Sequence, residues 1–284
     1  SKWRRATRAA RQAVPAMTSR TKGIVVAGIS SLLVLAAGAG TAWRRIAPRA
    51  DRIWIAEQER APQATFDGHV AHIANVRSFR YTARHDFTPR YVDRVYDLDK
   101  LESISYALTP FYVSFRGPAH SFVTFGFADS QFVAISVEAR RETGEEYDVL
   151  KGLFKRFEVL YVVGDEPDLI GQRAAFTPEH VYLYPIHAPK EKIRAMFVSM
   201  LERANQLRTQ PEFYNTVTNN CTSNVIAHVN AVAPATVPSG FRSFLPGYTD
   251  ELGIRLGLID TKLGVAQARA RYLINDRVRK YLSD

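Results

Sequence analysis

Twenty-one consecutive residues without a charge, Gly23 to Trp43 (GIVVAGISSLLVLAAGAGTAW), constrain this chain more than any other stretch. About 20 apolar residues are what a helix needs to cross the hydrocarbon core of a bilayer. Ser30, Ser31 and Thr41 fit such a helix, because their hydroxyls can bond back to its own carbonyls. Trp43 stands where an interfacial aromatic is expected, and Arg44 and Arg45 follow it as anchors. A cleaved signal peptide is the competing reading, since Ala36 to Ala42 are small enough to mimic a cleavage site. Its apolar core is usually shorter, about 7–15 residues. The flanking charge sets the orientation. Lys2, Arg4, Arg5, Arg8, Arg11, Arg20 and Lys22 precede the stretch with no acid among them. Only Arg44, Arg45 and Arg49 follow closely. The positive-inside rule then makes residues 1–22 a basic cytoplasmic tail, suited to the anionic inner leaflet, and residues 23–43 a single membrane helix. Residues 44–64 become a juxtamembrane linker, and residues 65–284 a domain on the periplasmic side of the inner membrane.

The same split disposes of a nucleic-acid reading. The formal net charge is +10, but residues 1–22 carry +7, leaving +3 for the other 262 residues. The body is near neutral, with no basic groove and no zinc-finger or RNA-binding signature. Cysteine usage is as informative. One Cys in the chain, Cys221, excludes an intramolecular disulfide. A lone thiol is most often a small buried hydrophobe, and in an exported domain it is a liability unless buried or used.

Within the exported part, hydrophobic periodicity predicts strands and helices in mixed order. Asp67 to Tyr81 reads as strand-rich. Ala119 to Arg140 reads as a hairpin, with arms HSFVTFGF and FVAISVEAR around Ala128 to Gln131. Val159 to Val163 and Val181 to Tyr184 are two more strands. Lys190 to Arg208 and Cys221 to Val232 show helical stripes, and Val265 to Leu282 reads as one basic amphipathic helix. The class is α+β, an antiparallel sheet with helices.

Thr218-Asn219-Asn220-Cys221-Thr222-Ser223-Asn224 carries the chemistry. Asn and Thr cap helices, so Cys221 falls at a helix N-terminus, where free N–H groups and the dipole favour a thiolate. His228 lies seven residues on, about 10 Å along the axis, too far to pair with Cys221, and reads as structural. His120 opens a strand after Gly117-Pro118. Ser136, Glu138 and Arg140 share one face of the partner arm, so a carboxylate can orient the imidazole. Register decides this: a two- or four-residue loop pairs Ser121 with Glu138, and only a three-residue loop or a bulge sets His120 opposite it. A mutual or solvated ion pair of Glu138 and Arg140 is the plain alternative. His69 and His72 lack a third ligand in a strand-like segment, so no metal is expected. No phosphate loop, dinucleotide fingerprint or serine elbow is present.

The runs HIANVRSFRY, FTPRYVDRVYDLDKL, AHSFVTFGF, ISVEARRE, LKGLFKRFEVLYVVGDEPDL, EFYNTVTNNCTSNV and LPGYTD occur in that order. Together they resemble the Lnb-type periplasmic domain family over roughly residues 65 to 280. The resemblance implies a permuted papain-like core, with the histidine strand before the cysteine helix, anchored by one N-terminal transmembrane helix. It implies a lipoprotein N-acyltransferase needing no cofactor, with membrane phospholipid, diacylated lipoproteins and the inner-membrane bilayer as partners, and no nucleic acid. Matched residue by residue, Cys221 is the implied nucleophile, His120 the base and Glu138 the acid. Asn219 or Asn220 would support the oxyanion, with Ser136 and Arg140 beside Glu138. A cysteine hydrolase of peptide, amide or cell-wall bonds, and a non-catalytic membrane-anchored binding domain, stay open as alternatives.

Overall fold

A computed structural model describes residues 19–112, 116–233, 237–238 and 245–283. The chain divides into two compact units, Ser1–Ala47 and Pro48–Asp284. In the first, a 27-residue helix, α1, runs Ser19–Arg45. The Thr41 hydroxyl bonds back to the Ala37 carbonyl at 2.7 Å, as the sequence leads one to expect. Leu32 to Leu35 are exposed. Among the described residues, however, no helix is long and apolar enough to cross a membrane. The side chains at 21–24 and 26, inside the expected span, lie outside the described set, and so do residues 1–18 of the expected tail.

The second unit is α+β. Its strands are β1 (Gln63–Asp67), β2 (Val70–Arg77), β3 (Arg80–Ala83), β4 (Asp86–Thr88), β5 (Tyr91–Asp97), β6 (Leu101–Pro110), β7 (Ala119–Phe127), β8 (Phe132–Arg140), β9 (Glu158–Gly164) and β10 (Tyr182–Pro185). Eight of them form a mixed sheet in the order β1-β2-β9-β8-β7-β6-β10, with β5 also pairing to β2; β3 and β4 make a separate hairpin. Every pairing in the large sheet is antiparallel except β2 with β9, a departure from the purely antiparallel expectation.

Period-two alternation splits the sheet into two cores. On one face Val123, Phe125, Val133, Ile135 and Val137 pack with Phe197, Met200 and Val225 from α4 (Lys190–Thr209) and α5 (Cys221–Val232). On the other, Phe122, Ala134, Leu160 and Val162 pack under α2 (Glu166–Leu169) and α3 (Gly171–Phe176). All nine residues of β7 are buried, so both faces of this central strand are covered.

Two segments differ from the sequence reading. The C-terminal stretch is not one helix but two, Val265–Tyr272 and Asn275–Ser283. Between them Leu273 is extended and bridges to Tyr182, while the Asn275 side chain accepts from the Val181 N–H. Pairing to β10 overrides the helical pattern. The linker is also partly structured. Ile55 donates to the Arg141 carbonyl, Trp54 is buried, and Arg52 pairs with Glu142 and Glu158.

Candidate active site

The site starts from a turn. Phe127 N–H donates to Gln131 O at 2.9 Å, which closes a three-residue loop, Ala128-Asp129-Ser130. Ser130 sits at φ 60°, the left-handed residue that such loops use to re-enter the ladder. This is the loop length that aligns His120 with Glu138: the register runs Gly126↔Phe132 to Phe122↔Ser136, and two further steps bring His120 level with Glu138. The β7–β8 ladder itself stops at Phe122/Ser136. Beyond that point β7 continues along β6 to Ala119, while β8 continues along β9 to Arg140. The two strands fork, and side chains bridge the fork where backbone bonds end.

His120 Nε2 lies 3.1 Å from Glu138 Oε1 and 2.7 Å from Ser136 Oγ. Ser136 in turn donates to Glu138 Oε1 at 2.7 Å. Arg173 of α3 reaches the same carboxylate oxygen at 3.4 Å and pairs with Glu179 at 3.2 Å. With Nε2 held in this way, the ring's other nitrogen is left for the Cys221 thiol, whose charge and that of the imidazole favour one another.

Cys221 is the first residue of α5. Asn220 caps the helix: its side chain accepts from Ser223 N–H at 2.9 Å, and Ser223 Oγ accepts from Asn220 N–H at 2.8 Å. That capping box fixes the first turn and leaves the α5 N-terminus facing the thiol. The helix is tied to β7 through Ser121 Oγ and Thr222 Oγ1, 2.9 Å apart. Cys221 Sγ is 3.8 Å from that same threonine hydroxyl.

The electrostatics run in one direction. Burial alone pushes the Cys221 thiol up. The His120 imidazolium beside it, the Ser121 backbone and the Thr222 hydroxyl outweigh burial and hold the thiol below its ordinary value. Burial opposes charge on His120 too, yet Glu138 and the thiolate overcome it and push the imidazole up to about 9. Glu138 is held well below the carboxylate range: burial works against this, but His120 and Arg173 dominate. These directions favour a thiolate–imidazolium pair backed by a carboxylate, an arrangement suited to nucleophilic attack and proton transfer.

The remaining expected residues have other duties. The Asn219 amide donates to Glu212 and the Phe213 carbonyl, and its oxygen accepts from Asn224. Asn220 donates to the Thr216 carbonyl. Both amides hold the turn that presents Cys221, whose own backbone lies in the first turn of α5. Arg140 does not pair with Glu138. Its guanidinium lies 4.2 Å from the Trp54 ring and donates to the carbonyls of Gln58 and Glu59. The sequence reading missed Arg173. Only the helix before its own, α2, was announced, by Asp165 ahead of Glu166-Pro167, and Asp165 does accept from Asp168 N–H; α3 itself starts without a side-chain cap. His228 is buried as a structural residue, its two nitrogens bonded to Tyr161 and Ser199 at 2.8 Å. Burial and the Arg203 charge push it down to about 4. Among the described residues, the one cluster with metal-like spacing is His69 with Asp97 and Asp99 at the surface, a different set from His69 and His72.

Residues 87–247 match the family model of the Lnb N-terminal periplasmic domain. No curated protein and no solved structure matches the chain.

Proposed function

The chain belongs to the Lnb N-terminal periplasmic domain family, and from that premise we propose that it is a lipoprotein N-acyltransferase working through Cys221 on a permuted papain-like core. The observation that carries this reading is the tie of β7 to the start of α5, Ser121 Oγ to Thr222 Oγ1 at 2.9 Å, which sets His120 beside Cys221 with Glu138 behind the ring. The Cys221 thiolate attacks an ester carbonyl of a membrane phospholipid. The first backbone N–H groups of α5 stabilise the oxyanion, His120 gives its proton to the departing alkoxide, and a thioester remains. The α-amino group of a diacylated lipoprotein's N-terminal cysteine then attacks the thioester. His120 takes the amine proton, an amide forms and the thiolate is restored. Glu138, steadied by Ser136 and Arg173, keeps the imidazole oriented and favours its charged form.

Residues 23–43 act in this reading as a single membrane anchor with the catalytic unit on the periplasmic side. Their uncharged run and the seven basic residues before them support it. Anchoring confines the enzyme to the surface that holds both substrates. A cysteine hydrolase of polar substrates would need an open polar cleft at the thiol. Cys221 is only 4% exposed, and the cavity beginning at its neighbour Thr222 is apolar, which favours an acyl substrate.

The test is made in cells that depend on this chain for N-acylated lipoprotein. Cys221→Ala should leave lipoproteins diacylated by mass spectrometry, with the variant present at normal level. Persistent N-acylation in those cells would overturn the reading.

A further inference from the structure

A cavity of about 290 Å³ lies between the β6–β7 face, α4, α5 and the short helix Thr249–Arg255. One end is polar and is already satisfied. Thr222 Oγ1 lies 2.9 Å from Ser121 Oγ, and Tyr106 Oη lies 2.6 Å from Thr249 Oγ1. That end is also one residue from Cys221, whose sulfur is 3.8 Å from Thr222 Oγ1. From there the lining follows the inner stripe of α5 through Val225 and Val229 to Val232, faced by Met196 of α4 and by Leu252. Ten residues of helix, from Thr222 to Val232, rise about 15 Å. The cavity is thus a half-open, mostly apolar channel that starts beside the thiol and follows α5.

We propose that this channel holds one long unbranched hydrocarbon chain, with its carbonyl end at Cys221 and its methyl end toward Val232, and that Val229 and Val232 set the chain length accepted. The proposal rests on the acyl-transfer reading for its orientation, but the channel's chemistry is independent of it. The hydroxyls at the near end are paired with one another, so they ask nothing of a ligand. Beyond them the walls are apolar nearly throughout, and such walls gain only by contact with apolar atoms. The polar lining residues beyond that end, His187 and Lys192, are exposed, so a ligand polar along its length gains little inside. The side chains nearest the far end are therefore the ones that measure length.

The full chain in a fluorinated surfactant, which does not compete for alkyl sites, is titrated with cis-parinaric acid. The bound fluorophore is then displaced by octanoate, laurate and palmitate. Wild type should bind palmitate and release the fluorophore. Val232→Trp, at the far end, should weaken palmitate roughly tenfold, about 1.4 kcal/mol, and spare octanoate. Val229→Trp, nearer the thiol, should weaken laurate as well. Thermal melts of both variants report folding, and the second variant stands in if the first is destabilised. Palmitate binding that both folded variants leave unchanged would overturn the channel. Length-selective binding without acyl transfer would keep the channel and sink the transferase reading. Transfer from phospholipid with chain selectivity indifferent to both tryptophans would do the reverse.

Discussion

Two buried histidines, one meeting the start of α5 and one within it, are pushed in opposite directions. His120 meets the start of α5 from the fork of β7 and β8, with a carboxylate behind it and a thiol in front, and its pKa is pushed up to about 9. His228 sits seven residues into α5 between two hydroxyls, and burial and the Arg203 charge push it down to about 4. Burial depresses both; only the partners differ. Burial of a histidine thus says nothing about its use. What makes one of them fit for proton transfer is an anion on each side of the ring.

The predictions sharpen or break that contrast, beginning with the largest effect. His120→Ala should lower acyl transfer on the order of 10³-fold, whereas His228→Gln should leave transfer within a few-fold, measured on the same purified lipoprotein. A comparable loss in both variants would erase the distinction. Next, Glu138→Gln removes the anion behind His120. The imidazole then loses its proton at lower pH and the thiolate loses its cation. The pH profile of Cys221 alkylation by iodoacetamide should shift upward by about one unit or more, with transfer falling about 10²-fold. An unchanged alkylation profile would leave Glu138 a merely structural residue.

The third prediction concerns stability. His228 stays neutral in the fold down to about 4, while in the unfolded chain it protonates near 6.5. The unfolded state binds the extra proton first, so its contribution is present above about pH 6.5 and is lost as pH falls toward 4. His120 runs the other way: its contribution is full below about 6.5 and is lost as pH rises through about 9. Thermal melts should show His228→Gln flattening the acid limb and His120→Gln the alkaline limb. Exchange of the two limbs between the variants would contradict the assignment. The smallest effect is expected from Tyr161→Phe, which removes the hydroxyl joining His228 to Asn224. It should cost about 1–2 kcal/mol in denaturant unfolding and leave transfer nearly unchanged.

Local chemistry made the centre of this site readable in the sequence. Asn220 before Cys221 is a capping signal, and it marks the first residue of α5 correctly. The β-branched and aromatic arms around Ala128 to Gln131 mark the hairpin. Its register depended on one turn, and a serine at positive φ decides it, a conformation the residue type does not announce. The reach of His120 to Cys221 was not legible from periodicity, because the two residues come from opposite faces of the sheet and meet only where the ladder opens. Arg173 was missed for a similar reason: its partnership with Glu138 joins segments 35 residues apart. The single C-terminal helix failed because strand pairing at Leu273, a tertiary contact, outweighs local helical pattern.

The central claim is that the thiolate at the start of α5 accepts an acyl group with His120 as its proton partner. Intact-protein mass spectrometry after incubation with phospholipid, before any lipoprotein is added, tests it most directly. The expected result is a mass increase of one acyl chain on Cys221 that hydroxylamine removes, that Cys221→Ala never shows and that His120→Ala shows far more slowly. An unmodified Cys221 under conditions in which the same preparation N-acylates lipoprotein would contradict it.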